Sequence, residues 1–166
     1  MIAACCNAHA ESALRGNASH QALVLAAAGS GDYFKAIAAA LMTLGERHGP
    51  LSQTYALLTT EPDVKAILRA GLKVPGWGNS FVNGPDPIWT ETAETVKEAN
   101  HALFEKIERI TEVLHEEGKD IYPNPSCWTA AVAITVGLPK EICGYLFLLG
   151  RLEVWTGEFE RVYGGR

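Results

Sequence analysis

The chain has 166 residues, 48% hydrophobic and 20% charged, which allows one domain with a substantial core and argues against disorder. Its net charge of −5, from 14 basic and 19 acidic residues, argues against an electrostatic grip on nucleic acid. No apolar run reaches membrane-spanning length; the longest, around residues 142–149, contains Cys143, Gly144 and Tyr145 and reads as a buried helix.

The opening stretch MIAACCNAHA lacks a basic region and a long apolar run, so it does not read as a secretion signal. It is expected to be mobile, with Cys6 and His9 forming a lone C-x-x-H. The four cysteines, Cys5, Cys6, Cys127 and Cys143, fit no zinc spacing. The expectation is reduced thiols, no metal and a cytoplasmic protein. Residues 17–30 are small and apolar and end at Gly31. Asp32 can cap the next helix, with Tyr33, Ile37, Ala40, Leu41 and Leu44 at helical spacing, as far as His48-Gly49-Pro50. A third segment covers residues 51–58. Thr60-Glu61-Pro62 opens a fourth, through Leu68 to Gly71.

Residues 71–86, GLKVPGWGNSFVNGPD, read as an ordered Gly-rich loop anchored by Trp77, Phe81 and Val82. Asp86-Pro87 then starts the longest helix, acidic and spanning residues 86–118. Its seam of Ala93, Val96, Asn100, Leu103, Ile107, Ile110 and Leu114 has 3-4 spacing and predicts a core-packing stripe. Residues 124–136 and 139–161 are the last two helices, parted by Gly137. No strand signal is present, and the fold class is all-α. His20, His101 and His115 read as surface residues.

Three stretches place polar residues at helix ends or in Gly-rich turns: ERHGPLS (46–52), VPGWGNSFVNGPDP (74–87) and YPNPSCWTA (122–130). Helix starts there would offer unpaired N–H groups suited to a carboxylate or thioester oxygen. Singly, each is ordinary helix punctuation. In order and spacing, however, they resemble the citrate synthase family, whose pattern runs HGGAN, PGFGHRVYKxxDPR, PNVDFYSG and then a helix with RxxGW. Here the matching residues are His48-Gly49-Pro50, then Pro75-Gly76-Trp77-Gly78-Asn79 with Asp86-Pro87, then Pro123 to Ala130, then Arg151 with Trp155. NAS (17–19) and SGDYFKAIAAAL (30–41) resemble the family's NAS…TGADxYSAIAAAL, and RVYGG near the end echoes RPxxxYxG. The resemblance covers residues 9–166; the family's N-terminal portion has no counterpart.

The resemblance implies a two-lobed helical fold. Residues 49–122 would form a small lobe, and residues 1–48 with 123–166 a remnant of the large lobe. The cleft between them would gather His48, Asn79, Ser126 and Arg151. In the family a carboxylate takes a proton from acetyl-CoA, histidines polarise the thioester and the carbonyl of oxaloacetate, and arginines clamp carboxylates. Carried over, His48 matches the thioester-side histidine. Asn79 replaces the second histidine, Ser80 and Ile88 replace arginines, and Ser126 replaces the catalytic aspartate. Arg151, and with it Arg161, match carboxylate-binding arginines, and Pro75, Gly76, Trp77 and Gly78 form the loop expected to hold coenzyme A or acetyl-CoA. A serine cannot act as base unless it is itself deprotonated. Cys127, in the same helical turn, is expected to be a buried, inert thiol.

The expected function is therefore a degenerate module that binds an acyl-CoA or a small carboxylate, without standard citrate synthase activity. Two alternatives stand beside it. One is an active condensing enzyme or citryl-CoA lyase type using a different electrophile or base. The other is a structural subunit that pairs with itself or a full-length relative. In the family the helices corresponding to residues 17–29 and 31–47 contribute to the subunit interface, so a homodimer or higher homo-oligomer is expected. The expected partners are small carboxylates or CoA thioesters, not nucleic acid or membrane.

Overall fold

The computed structural model describes residues 1–45 and 49–164, and the described residues contain helices and no strand. The chain opens with α1 (Ile2–Ser12), α2 (Ala18–Ser30), α3 (Tyr33–Met42), α4 (Leu51–Thr59) and α5 (Val64–Arg69). After the Gly-rich stretch and a 3₁₀ turn (Pro87–Trp89) come α6 (Thr90–Ala99), α7 (His101–Glu116), α8 (Pro125–Thr135), a second 3₁₀ turn (Lys140–Ile142) and α9 (Cys143–Tyr163).

Local chemistry accounts for most of the boundaries. Asn17, Asp32, Asp63 and Asn124 each accept a backbone N–H from the first turn of the helix they precede. Gly31 ends α2 with φ 61°, and α3 folds back along α2 as a helical hairpin. The central helix is α8, whose residues from Ser126 through Ala133 are all buried. A helix buried on every face belongs at the middle of a core. Helices α4, α6 and α9 pack around it, and α9 also carries α1, α2 and α3.

Five expectations need correction. The N-terminal stretch is the helix α1, lying against α9, and His9 is fully buried. Its mix of alanine, cysteine and histidine has little helical amphipathicity, so its core role depends on a partner far away in sequence. The predicted long helix breaks at Asn100 (φ −148°, ψ 71°), whose side chain takes the N–H of Leu103 and restarts the helix as α7. An asparagine in a seam competes with the helical backbone for hydrogen bonds, and α9 becomes the longest helix. Helix α5 starts from Asp63 rather than from the Thr60-Glu61-Pro62 signal; Thr60 instead bonds back to the carbonyl of Ala56. Of the loop anchors, Trp77 is buried but Phe81 is exposed. His20 is also not a simple surface residue, because its Nε2 lies 3.0 Å from Glu158 Oε1.

The α1–α9 crossing depends on Gly150. A Cβ there would stand 2.5 Å from His9 Cβ and 2.6 Å from the Cys6 carbonyl oxygen. Gly157, on the same helix, is exposed, with no atom within 4 Å of a Cβ built on it. The two alanine substitutions should therefore have opposite signs. Urea unfolding should show Gly150→Ala less stable by about 1–3 kcal/mol and Gly157→Ala more stable by roughly 0.5–1 kcal/mol.

Candidate functional site

One side chain, Asn124, ties the Gly-rich stretch to the start of α8. Its backbone N–H donates to the Gly76 carbonyl at 2.9 Å, its side-chain amide donates to the Gly78 carbonyl at 2.9 Å, and its side-chain oxygen accepts from Ser126 N at 2.8 Å. Gly78 N–H donates to the Tyr122 carbonyl at 2.9 Å, and Trp77 pairs with Pro123 in an isolated antiparallel bridge. Gly76 has φ 92°, and a Cβ there would lie 2.5 Å from Thr54 Cγ2. The position therefore requires glycine for both conformation and space. Trp77 is buried, and its indole N–H donates to Thr111 Oγ1 at 2.9 Å.

This arrangement closes one side of a cavity of about 180 Å³. Gly78, Asn79, Ser80 and Phe81 come from the loop, and Gly49, Pro50 and Leu51 from the start of α4. Asn124, Pro125 and Ser126 come from the start of α8, and Phe147 and Arg151 from α9. The fifth part of the wall is the end of α1 and the turn after it: His9, Ser12, Arg15 and Asn17.

Arg151 is 3% exposed. Its Nη1 donates to Ser19 Oγ at 3.2 Å and its Nη2 to Ser12 Oγ at 3.1 Å. The guanidinium carbon lies 4.1 Å from the centre of the Phe147 ring, and Nε is buried without a partner. Among the described residues no carboxylate lies within ion-pair distance of it. Burial, with Arg15 nearby, pulls its pKa down to about 10, so it stays charged at neutral pH. His9 is held well below the usual imidazole range by burial and by Arg151. Its Nε2 lies 2.8 Å from Thr129 Oγ1, and its ring meets Trp89 and Phe147 edge to face.

Asn79 is fixed at both ends of its amide. Its Nδ2 donates to Asp86 Oδ2 at 3.3 Å, and its Oδ1 accepts Phe81 N–H at 2.9 Å. Asp86 is buried and also takes two bonds from Arg15, at 2.6 and 3.2 Å, and the Ile88 N–H at 3.3 Å. The Ser126 hydroxyl lines the cavity and bonds to no described residue.

The start of α8 does not offer the free N–H groups expected of it. Pro125 has none, Ser126 N–H goes to the Asn124 side chain, and Cys127 N–H goes to the Asn124 carbonyl at 2.9 Å. The Cys127 thiol is fully buried, and burial with Glu108 pushes it well above the ordinary thiol range, so it is no nucleophile at neutral pH.

Of the residues singled out in the sequence, Gly78, Asn79, Ser126 and Arg151 line this one cavity. Pro75, Gly76 and Trp77 are not part of its wall; Gly76 and Trp77 support the loop from behind. Arg161 stands apart on α9, bonded twice to Glu158 at 2.7 Å. That pairing, with His20 helping, draws the Glu158 carboxyl down to about 2. His48 lies outside the described residues, although Gly49 and Pro50 after it belong to the wall. Sequence reasoning missed Ser12 and Arg15, and it gave His9 no place in the site. The available signal was the i, i+3 pair His9 and Ser12, which falls on one face of a helix rich in alanine and cysteine. Among the described residues no group of three or more His, Cys, Asp or Glu side chains could hold a metal ion.

The architecture is similar to that of several solved structures. Citryl-CoA lyase from Hydrogenobacter thermophilus shares 19% identity at a TM-score of 0.81, over 97% of this chain and 67% of the lyase. Citrate synthase from Thermotoga maritima shares 24% identity at 0.76, over 87% of this chain and 44% of the synthase. Citrate synthase from Thermoplasma acidophilum, solved as a ternary complex with carboxymethyl coenzyme A and oxaloacetate, shares 24% identity at 0.68, over 88% and 44%. The chain thus spans about two-thirds of the lyase and less than half of each synthase. No curated protein matches it. The likeness to these structures concerns the fold, whereas residues 1–160 match the family described as "Citrate synthase, C-terminal domain", and the chain belongs to the citrate synthase family.

Proposed function

We propose that this chain is a degenerate citrate synthase relative whose cavity binds a small carboxylate or the acyl end of a CoA thioester and does not form citrate. The observation that carries this reading is the make-up of the wall. Among the described residues, a buried arginine without a carboxylate partner lies in it, and no carboxylate does. Citrate formation needs a base to take a proton from the acetyl methyl group. The Ser126 hydroxyl is neutral and, among the described residues, bonds to no group able to deprotonate it. Asp86 is outside the wall, and four hydrogen bonds hold its two oxygens. Loss of a general base lowers rates by roughly 10²–10⁴.

In this reading Arg151 binds the carboxylate, and Ser126 donates a hydrogen bond to it or to a neighbouring carbonyl. Asn79 offers the amide hydrogen that does not go to Asp86, with its orientation set in advance. His48 would serve the thioester side. Binding of coenzyme A compounds by family relatives supports an acyl-CoA ligand. The loop backbone at Gly76 and Gly78 is already bonded to residues 122–124, so a CoA ester would meet Phe81 and Ser80 at the mouth rather than Pro75, Gly76 or Trp77. The cavity draws on both expected lobes, with residues 49–51 and 78–81 from one and residues 9–17, 124–126, 147 and 151 from the other. This supports the division at 48/49 and 122/123. Four unpaired cysteines are compatible with a reducing cytoplasm. Among the described residues no helix is long and apolar enough to cross a membrane.

The same reading includes a homodimer. Leu25, Phe34 and Met42 are 74%, 81% and 85% exposed. Phe34, Ala38 and Met42 fall four residues apart on the outward face of α3, beside α2. A face of this kind without a partner would be unusual for a soluble monomer, and a second copy is the occupant proposed.

Three measurements test these statements. Calorimetry with CoA, acetyl-CoA and citrate should detect binding of at least one, while a citrate-forming assay with acetyl-CoA and oxaloacetate should show no appreciable turnover. Silence for all three ligands, or turnover at ordinary enzyme rates of ~1–10³ s⁻¹, would overturn the reading. Light scattering at several concentrations should give a dimer, and Phe34→Glu should shift it towards monomer; a wild-type monomer throughout would remove the dimer.

A further inference from the structure

Resting on the carboxylate-binding reading above, we infer that the cavity is matched to a single negative charge: it takes a monocarboxylate with an uncharged remainder and disfavours dicarboxylates. Two cationic side chains line it among the described residues, Arg15 and Arg151. They differ in one respect. Arg15 is already neutralised by a bidentate pair with buried Asp86 at 2.6 and 3.2 Å. Asp86 is itself held in place by Asn79 and the Ile88 N–H, so Arg15 cannot turn to a ligand without breaking a connected network. Arg151 has only hydroxyl partners and aromatic rings. His9, wedged between Trp89 and Phe147, adds no charge.

The remaining polar side chains of the wall among the described residues, Ser12, Asn17, Asn79, Ser80, Asn124 and Ser126, can hydrogen-bond but carry no charge. A second carboxylate placed there would lose water and gain no counter-charge, which is unfavourable in a partly buried site. Asp86 thus acts as a specificity-determining residue from behind the wall: by occupying Arg15, it leaves the ligand one of the two cations among the described residues.

The test uses ligands that differ only in the charge of the distal end. Succinamate and succinate, and glutaramate and glutarate, are titrated into the full-length protein by calorimetry at neutral pH. On the wild type the monoamide should bind at least about tenfold more tightly than the diacid. In Asp86→Asn, which frees Arg15, that preference should shrink about tenfold or reverse, with the diacid gaining affinity. A gain of this kind does not follow from damage to the fold, and the wild-type comparison stands even if the variant does not fold. Equal or tighter binding of the diacids by wild type would overturn the inference and leave the carboxylate site standing. An unchanged preference in a folded Asp86→Asn protein would do the same. Silence for all four ligands would overturn both the inference and the carboxylate reading beneath it.

Discussion

A guanidinium group buried near the middle of a helix needs compensation for the water it has lost, and in this protein the compensation is incomplete. Arg151 lies against Phe147 and Trp155, donates to two serine hydroxyls, and leaves its Nε without a partner. Neutral hydroxyls satisfy the geometry of a cation but not its charge. The adjoining cavity gives an anion or water access to what the described protein atoms do not supply. Burial, with a smaller contribution from the neighbouring guanidinium groups, keeps His9 neutral and lowers the pKa of Arg151, while Arg15 is paired with Asp86.

The scaffold around that charge is rigid where it needs to be. Gly150 lets α1 approach α9 closely enough for His9 and Ser12 to reach the same wall as Arg151. Asn124 fixes the loop and the start of α8 together, so Asn79 and Ser126 face one space from two separate segments. The α8 start is fully capped from within, so its contribution to the cavity is the Ser126 hydroxyl rather than backbone N–H groups. Among the described residues the wall therefore combines a buried cation with neutral hydroxyl and amide groups and contains no carboxylate.

Much of the fold was legible because its signals are local. The cap at Asp32 follows from a side chain that bonds within one turn of where it stands, and the stop at Gly31 from a backbone that only glycine adopts easily. Asn100 stands in the α6–α7 seam, and its competition with the helical backbone makes a break where the apolar spacing alone predicts a continuous helix. Helix α1 was not legible because its burial depends on a glycine about 140 positions away. The site divides in the same manner. Asn79, Ser126 and Arg151 were singled out because of a resemblance in motif order, not because composition or spacing marked them. Arg15 and Ser12 became visible only once the tertiary contacts placed them. Phe81 shows the opposite limit, an apolar residue in a loop that remains exposed at the cavity mouth.

The central claim is that the buried charge of Arg151 exists for an anion and not for the fold. Arg151→Met separates the two. Methionine keeps the packing against Phe147 and Trp155, and Ser12 and Ser19 keep their own bonds to the His9 carbonyl and the Asn17 side chain. Without ligand the variant should be more stable than wild type by about 1–4 kcal/mol, as when buried charges give way to apolar groups. It should also lose the stabilisation of about 2.7 kcal/mol that a monocarboxylate at one hundred times its Kd gives the wild type. A variant that is less stable without ligand, or that the carboxylate still stabilises, would contradict this account.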